Sequence, residues 1–402
     1  MCNPYPPVVR GGYEVECRDV VEHLRAQHEI TVLTSTWDRG QAAADPGVLR
    51  ELPSVQVTKR DSLLAPVHAL RGARIARRVL ARVRPDLVYV WNGARVPYAA
   101  LQVIHDSGVP VAYRVCEHWF GGLYDRDLFM RHLTPGETGP RGVWARAMRT
   151  VNRLPGLRLD PARPGRAAVC WNSEFIRAAA GTPRWLTPVH EAIVIPSNAR
   201  TEDLARVQRA PGAEPTVMFV ATLGPHKGAD VAVRALGVLA RRDGLRPRLV
   251  LAGNEEPGDR ARITALAEQE GVGGQVDLPG TLDRDGVLAL ASRATAWVVP
   301  SVWDEPAPLT CVEAALARVP LVASRVGGIP EVVHDEEHAL LFDRSDAEGC
   351  ATALARTLRG DGVAARTARA FTRGGELAFG PYVRHMDRFL ADAAVALGLP
   401  GA

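Results

Sequence analysis

At 402 residues the chain is too long for one ordinary hydrophobic core and suits two α/β domains of about 200 residues each. Hydrophobic residues at 47% and charged residues at 23% are an ordinary globular balance, and no stretch approaches the ~18 apolar residues that a membrane-spanning helix needs. The net charge of +4 hides an asymmetry, 26 Lys and Arg against 18 Asp and Glu through residue 199 and 23 against 27 beyond it, yet no aromatic-rich basic motif accompanies the excess, which excludes nucleic acid as a partner.

In chain order, Met1-Cys2-Asn3-Pro4-Tyr5-Pro6-Pro7 forms a Pro-rich turn and Gly11-Gly12-Tyr13-Glu14 opens a helix to about Arg25. Glycines admit close backbone approach, and a helix start offers N–H donors and a positive dipole end to a diphosphate. Ile30 to Thr34, Leu87 to Trp91, Val109 to Val115 and Ala167 to Trp171 read as strands that alternate with helices, the pattern of a parallel sheet. Basic residues concentrate in Leu70 to Arg84 and in Arg141 to Arg166, where Trp144, Met148 and Val151 share a helix face. Such a face suits an anionic membrane surface, although a solvated face over an ordinary core stripe is the plainer reading. Asn172-Ser173-Glu174 caps a helix from Phe175 to Ala180, and Ile193 to Pro196 closes the half. Thr201 to Pro215, polar and Pro/Gly-bearing, reads as a linker. Further strands are expected at Val217 to Val220, Arg248 to Ala252, Gln275 to Leu278, Ala296 to Val299 and Leu321 to Ala323, with a terminal helix carrying Tyr382, Met386, Phe389 and Leu390. The expected domains are 1–199 and 216–378, joined by 200–215 and followed by a terminal helix over 379–402.

The most telling segment runs from Pro300 to Ala314 and holds Glu305 and Glu313, eight positions apart. Glu305 falls on the loop at the carboxyl end of a strand, where open α/β sheets bind ligands, and Glu313 lies one turn into the following helix. The free N–H groups at Leu309 and Thr310 would attract a phosphate, while Glu313 could accept two hydrogen bonds from vicinal hydroxyls. Two carboxylates beside a phosphate site point to a sugar nucleotide.

The segment Val276 to Leu341, with Pro300-Ser301, Glu305 to Glu313, Pro320 to Ser324 and Gly327-Gly328-Ile329-Pro330-Glu331, resembles the donor-binding half of the retaining glycosyltransferases of family four. The resemblance is strongest from about 216 to 345 and weakens toward the amino end. It implies an α/β protein of two facing Rossmann-like domains with a cleft between them (GT-B type), whose terminal helix returns to the first domain. It also implies a sugar moved from a nucleoside diphosphate donor, a UDP- or GDP-sugar foremost, to a hydroxyl acceptor with retention at the anomeric carbon. In this reading Glu313 holds the ribose, Glu305 the hydroxyls of the transferred sugar, and Lys227 with the Leu309-Thr310 helix start the diphosphate. Gly11 and Gly12 match the glycine loop of the facing domain, and Gly253-Asn254-Glu255 and Pro279-Gly280-Thr281 line the base pocket through backbone atoms. Lys227 is one of only two lysines, Lys59 being the other, against 47 arginines.

Several departures stand against the family pattern. The usual arginine five residues before the lysine is Thr222, and the usual glycine before Leu309 is Pro308. Each removes a donor; the Thr222 hydroxyl and a partial charge on His226 would replace part of it, and a lower donor affinity or turnover is the expected consequence. The histidine of the sugar site is expected at His118 by a shift of two, since strict register puts Cys116 and Glu117 at the usual His-Asp pair. The buried first strand of the family is missing; a start assigned too far downstream is the expected reading, and a domain built without it, with an exposed seam, the alternative.

No metal or other cofactor is expected. Asp125-Arg126-Asp127 and Asp283-Arg284-Asp285 resemble metal-binding strings of another architecture but do not follow strand ends, and His334 and His338 read as surface residues. Six scattered cysteines without a Cys-x-x-Cys pair and no signal peptide at the start suggest a reducing cytoplasm, with peripheral attachment at the inner membrane face left open. The alternatives are a sugar-nucleotide epimerase of similar architecture and a non-catalytic sugar-nucleotide-binding partner. Arginine-heavy composition hints at a GC-rich bacterial source and at glycan or secondary-metabolite synthesis.

Overall fold

The computed structural model describes residues 1–9, 11–36, 45, 47–55, 58–133, 139–160, 163–181 and 183–399. Its contacts divide the chain into two compact units, Met1–Val194 with Val383–Ala402, and Ile195–Tyr382.

In the first unit β1 (Val32–Ser35) and β2 (Val48–Leu52) form a parallel pair, while β3 (Val88–Val90), β4 (Val111–Val115), β5 (Gly165–Trp171) and β6 (Leu186–Ile193) form a parallel sheet in that order. Met1 and Cys2 lie between the two pieces. The Met1 amine donates to the Tyr89 carbonyl (2.5 Å), the Trp91 N–H donates to the Met1 carbonyl (2.8 Å), and the Cys2 N–H donates to the Leu33 carbonyl (3.1 Å). These two residues therefore stand where the missing strand was expected, and Cys2 is buried.

The terminal helix Phe379–Leu397 contributes Met386, Asp387 and Phe389 to this unit, against Cys170, His23 and both Tyr89 and His190 respectively. Arg114 on β4 is fully buried, and its two terminal amino groups donate to the Glu16 carboxylate (2.9 Å), the Trp171 carbonyl (3.1 Å) and the Cys170 sulfur (3.2 Å). A buried guanidinium needs a carboxylate and acceptors of this kind beside it.

The second unit is a six-stranded parallel sheet of β7 (Thr216–Val220), β8 (Arg248–Ala252), β9 (Val276–Gly280), β10 (Ala296–Val299), β11 (Leu321–Ser324) and β12 (Leu340–Phe342). Their spatial order, β9-β8-β7-β10-β11-β12, is that of a Rossmann sheet, whose strand order reverses between β7 and β10. Successive residues of β7 enter opposite cores. Val217 and Phe219 pack with the helices Ala229–Val238 and Ala347–Leu358, and Met218 packs with Trp297 and the helix Leu309–Leu316. Burial on both faces explains the unbroken apolar runs of these strands.

The stretch expected as a linker belongs to this unit and includes a helix, Thr201–Ala205. Arg209 ties it down by donating to the Ser292 carbonyl (3.2 Å) and the Ala294 carbonyl (2.5 Å), which close the helix Arg284–Arg293. The carbonyls at a helix end need such donors.

Candidate functional site

Two loops meet where the order of the second sheet reverses. The loop after β7 runs from Ala221 to Gly228 and the loop after β10 from Pro300 to Pro308, so the fold brings together residues some 80 positions apart. The His226 carbonyl accepts the Val302 N–H at 3.0 Å. Gly228 has φ 77°, and a Cβ there would lie 1.8 Å from the Pro300 carbonyl oxygen, so only glycine lets the loops touch.

Lys227, at the end of a short turn, extends its Nζ to 2.7 Å from Glu305 Oε1. The Ser301 hydroxyl donates to the same oxygen at 2.6 Å, and the Ser324 hydroxyl in turn fixes the Ser301 carbonyl at 2.7 Å. The Glu305 backbone is held from the other side, where its carbonyl accepts the Gly328 N–H at 2.7 Å. The Lys227 ammonium also stands 4.8 Å from the centre of the Trp303 ring, within cation–π reach, and the His226 ring meets that indole edge-on at 5.8 Å. Burial, with Lys227 close by, pushes the His226 imidazole below its ordinary range. The shift favours the neutral ring, against the partial charge expected of His226.

A small cavity opens here, lined among others by Ala221, Lys227, Pro300, Ser301, Glu305 and Thr310. Three of the expected site residues, Lys227, Glu305 and Thr310, thus share one cavity. Thr310 lies in the first turn of the helix Leu309–Leu316, whose start carries no side-chain cap because Pro308 precedes it. Glu313 follows one turn later; its carbonyl accepts the Ala317 N–H at 2.9 Å, and its carboxylate makes no hydrogen bond or ion pair among the described residues. Burial pushes its carboxyl above the usual range, against the pull of Arg284 and Arg200. Thr222 adjoins the cavity wall at Ala221, and its hydroxyl is buried without a partner. Gly280 closes β9, where its carbonyl accepts the Gly253 N–H at 2.9 Å.

Gly11, Gly12 and His118 belong to the first unit. The Gly11 N–H donates to Glu14 Oε2 (2.9 Å), so the helix Gly12–Leu24 begins with a carboxylate of its own. His118 is half-buried with its ring edge-on to Phe175 at 5.7 Å. Cys116 is buried, and burial drives its thiol well above the ordinary value, so of the two candidates only the imidazole reaches a surface.

The discounted acidic strings have structural work. Asp283 caps the helix Arg284–Arg293 by accepting the Gly286 N–H (2.8 Å), and Asp127 accepts the N–H groups of Tyr98, Phe129 and Met130. The Asp125 side chain lies outside the described residues. Sequence reasoning missed the parts played by Ser301, Trp303, Ser324, Arg200 and Arg284. Only Ser301, four residues before Glu305, left a local signal.

Two family models match the chain in succession, Glycosyltransferase Family 4 over residues 10–154 and Glycosyl transferases group 1 over residues 200–373. A D-inositol 3-phosphate glycosyltransferase of Acidothermus cellulolyticus is 36% identical over 169 residues, 40% of this chain and 37% of that protein. The chain thus matches well under half the length of this relative. A GDP-mannose-dependent alpha-(1-6)-phosphatidylinositol monomannoside mannosyltransferase of Mycolicibacterium smegmatis is 25% identical over 361 residues, 88% of this chain and 86% of that one. Among solved structures, sucrose-phosphate synthase from Thermosynechococcus elongatus aligns with a TM-score of 0.69 at 20% identity over 98% of this chain and 99% of that one. Anabaena HepE in complex with UDP and glucose aligns with a TM-score of 0.64 at 15% identity over 97% and 99%. At these identities the structural likeness speaks to the fold, two Rossmann-like domains of GT-B type.

Proposed function

The chain belongs to the family-four glycosyltransferases, two successive family models together matching more than half of it, and from that premise we propose that it is a retaining hexosyltransferase using a nucleoside diphosphate sugar. The observation that carries the proposal is the pairing of Lys227 with the buried carboxylate of Glu305 beside an uncapped helix start, at the switch point of the sheet. Each group answers one part of such a donor. The Leu309-Thr310 N–H groups and Lys227 receive the diphosphate, Glu313 the ribose hydroxyls, and Glu305 the hydroxyls of the sugar.

The ion pair suggests how binding prepares the reaction. A diphosphate arriving at Lys227 competes with Glu305 for the ammonium, and the carboxylate so released is free to accept sugar hydroxyls. As the bond to the anomeric carbon breaks, negative charge grows on the leaving diphosphate, and Lys227 with the helix N–H groups stabilises it there. The acceptor hydroxyl then adds on the face the diphosphate leaves, as retention requires, and its proton passes to the departing diphosphate. No metal is assigned to this step. Supporting the choice of donor, one relative is named as GDP-mannose-dependent and one structural neighbour holds UDP, so UDP- and GDP-sugars are the first to test. The epimerase and non-catalytic readings draw no support from these relatives, which are named as glycosyltransferases.

Peripheral contact with an anionic membrane is the accompanying proposal. On the helix Ala65–Val83, Ala65, Ala69, Ala73 and Ala76 are buried, while Val67, Arg71, Arg74 and Arg78 share an exposed face next to exposed Leu63. Apolar residues among arginines suit an acidic lipid surface. Sedimentation with phosphatidylglycerol vesicles that is lost at high salt and in Leu63→Ser would support it, and equal sedimentation with neutral vesicles would not.

The function is tested by thermal shift with UDP-, GDP-, ADP- and TDP-sugars, with Glu313→Ala as control. Stabilisation of the wild type by one nucleotide class, absent in the variant, is the expected result. No shift with any donor overturns the site assignment.

A further inference from the structure

The turn between the helix Ile329–Val332 and β12 reads His334-Asp335-Glu336-Glu337-His338, and its two histidines looked like ordinary surface residues in the sequence. The fold gathers one ligand atom each from His334, Glu337 and His338 within 4.8 Å of one another, away from the Lys227 cavity. We propose that these three side chains form a site for a single borderline divalent transition-metal ion, Zn2+ before others.

The donor set argues for the class of ion. Two imidazole nitrogens and one carboxylate oxygen suit Zn2+ and its neighbours, whereas Mg2+ and Ca2+ prefer oxygen alone. The Glu337 carboxylate already lies between the rings, with Oε2 3.3 Å from His334 Nδ1 and Oε1 3.7 Å from His338 Nε2. Ligand atoms held at ~2.0 Å around a tetrahedral ion are ~3.3 Å apart, so the most separated pair must draw in by up to about 1.5 Å. The side chains of His334 and Glu337 are 54% and 53% exposed and free to make that movement, and His338, at 8%, is the fixed member.

The surroundings hold the turn while leaving the site accessible. His338 Nδ1 accepts the His334 N–H at 3.1 Å, which sets the ring and points Nε2 toward Glu337. Coordination through Nε2 moves the ring proton to Nδ1 and gives up that bond, so the site is of micromolar rather than nanomolar strength. The Glu337 carbonyl accepts Arg369 Nε at 3.0 Å and the Val332 carbonyl accepts Arg373 Nε at 3.3 Å, anchoring both ends of the turn. The neighbouring acids are already committed, Asp335 to Arg325 and Glu336 to Arg356, each at 2.6 Å, which leaves Glu337 as the carboxylate of the site. Three protein ligands leave one position for water. The ion would cross-link residues 334–338 just beyond the Gly327-Gly328 turn that carries the Glu305 backbone.

The test is calorimetric titration of the reduced, metal-free full chain with ZnCl2, alongside His334→Ala and Glu337→Ala, both exposed positions whose folding is checked by circular dichroism. One zinc per chain at micromolar Kd, weakened at least about tenfold in each variant, is the expected result. Co2+ bound at the same site should show ligand-field bands without thiolate charge transfer, because all six cysteines are buried. Zinc uptake that the variants do not weaken, thiolate bands with Co2+, or no uptake by the wild type would each overturn the proposal. Mg2+ should give no binding heat, and binding of Mg2+ as strong as that of Zn2+ would overturn the assignment to a transition metal.

Discussion

Lys227 and Glu305 form an unequal pair: their charged atoms stand 2.7 Å apart, but the carboxylate side chain is 6% exposed and the lysine 23%. Removing one partner therefore differs from removing the other. A buried carboxylate left without its cation costs far more than a half-exposed ammonium left without its anion.

Lys227→Ala should accordingly lower the stability of the second unit by about 2 kcal/mol, less than a fully buried pair would lose because water reaches the lysine. Glu305→Gln, which keeps a group for Ser301, should lose about 1 kcal/mol. Both should weaken nucleotide-sugar binding. Urea unfolding followed by tryptophan fluorescence compares them, and equal losses would contradict the asymmetry.

Gly228→Ala combines a left-handed backbone with a Cβ 1.8 Å from the Pro300 oxygen, and it should cost about 3 kcal/mol or more. Gly244→Ala isolates the first of these effects. Its φ is 65° and nothing lies within 4 Å of the added Cβ, so about 1 kcal/mol is expected. Similar midpoints for the two variants would show that the loops separate without cost.

Thr222 has a buried hydroxyl with no partner, so Thr222→Val should leave stability within about 0.5 kcal/mol of wild type or raise it. Any loss of nucleotide affinity in that variant would then report a hydroxyl contact to the ligand. Thr222→Arg, which puts a cation where the family usually has one, should tighten nucleotide-diphosphate binding by about tenfold. Calorimetric titration with UDP and GDP reads both, and weaker binding in the arginine variant would show that the site was rebuilt without it.

His105 lies in the first unit with its Nε2 2.9 Å from the Tyr113 hydroxyl, and burial pushes its imidazole down to about 4. Since the unfolded side chain titrates near ~6.5, the unfolded chain binds more protons between these values. The contribution of the neutral ring is complete above pH ~6.5 and is lost as the pH falls toward 4, a change on the order of 3 kcal/mol at its limit. His105→Gln should flatten that part of the stability profile, measured by urea denaturation at a series of pH values. An unchanged slope would assign the acid sensitivity to other groups.

Much of the second unit was legible because its strands are buried on both faces. Val217 to Val220, after Pro215-Thr216, and Ala296 to Val299, stopped by Pro300, are short apolar runs, and they fell where they were expected. The two edge strands of the first unit were not. In β2, Val48-Leu49-Arg50-Glu51-Leu52, the outermost four residues are only half-buried, and Arg50 donates to the Tyr5 and Pro6 carbonyls, a partnership no local pattern discloses. In β6, Pro188 and alternating exposure masked the strand. At the site, Glu305, Lys227 and Thr310 were named because motif spacing carried them. Trp303 was not, since its place against Lys227 and His226 depends on two loops touching. The gathering of His334, Glu337 and His338 was hidden for a similar reason: the spacing is ordinary and only the turn brings the side chains together.

The two residues that sit between β1 and β3 also set how the first unit comes apart. Elsewhere its neighbouring strands are joined by paired ladders, two of them with a register shift, but here the join consists, among the described residues, of two hydrogen bonds between Met1 and the Tyr89–Trp91 segment and one from Cys2 to Leu33. Such a join is a perforation. The β1–β2 ribbon can lift away while β3 to β6 stay paired, so amide protons of Val32 to Ser35 should exchange with solvent through a local opening far cheaper than global unfolding, and those of Val111 to Val115 only when the unit as a whole gives way.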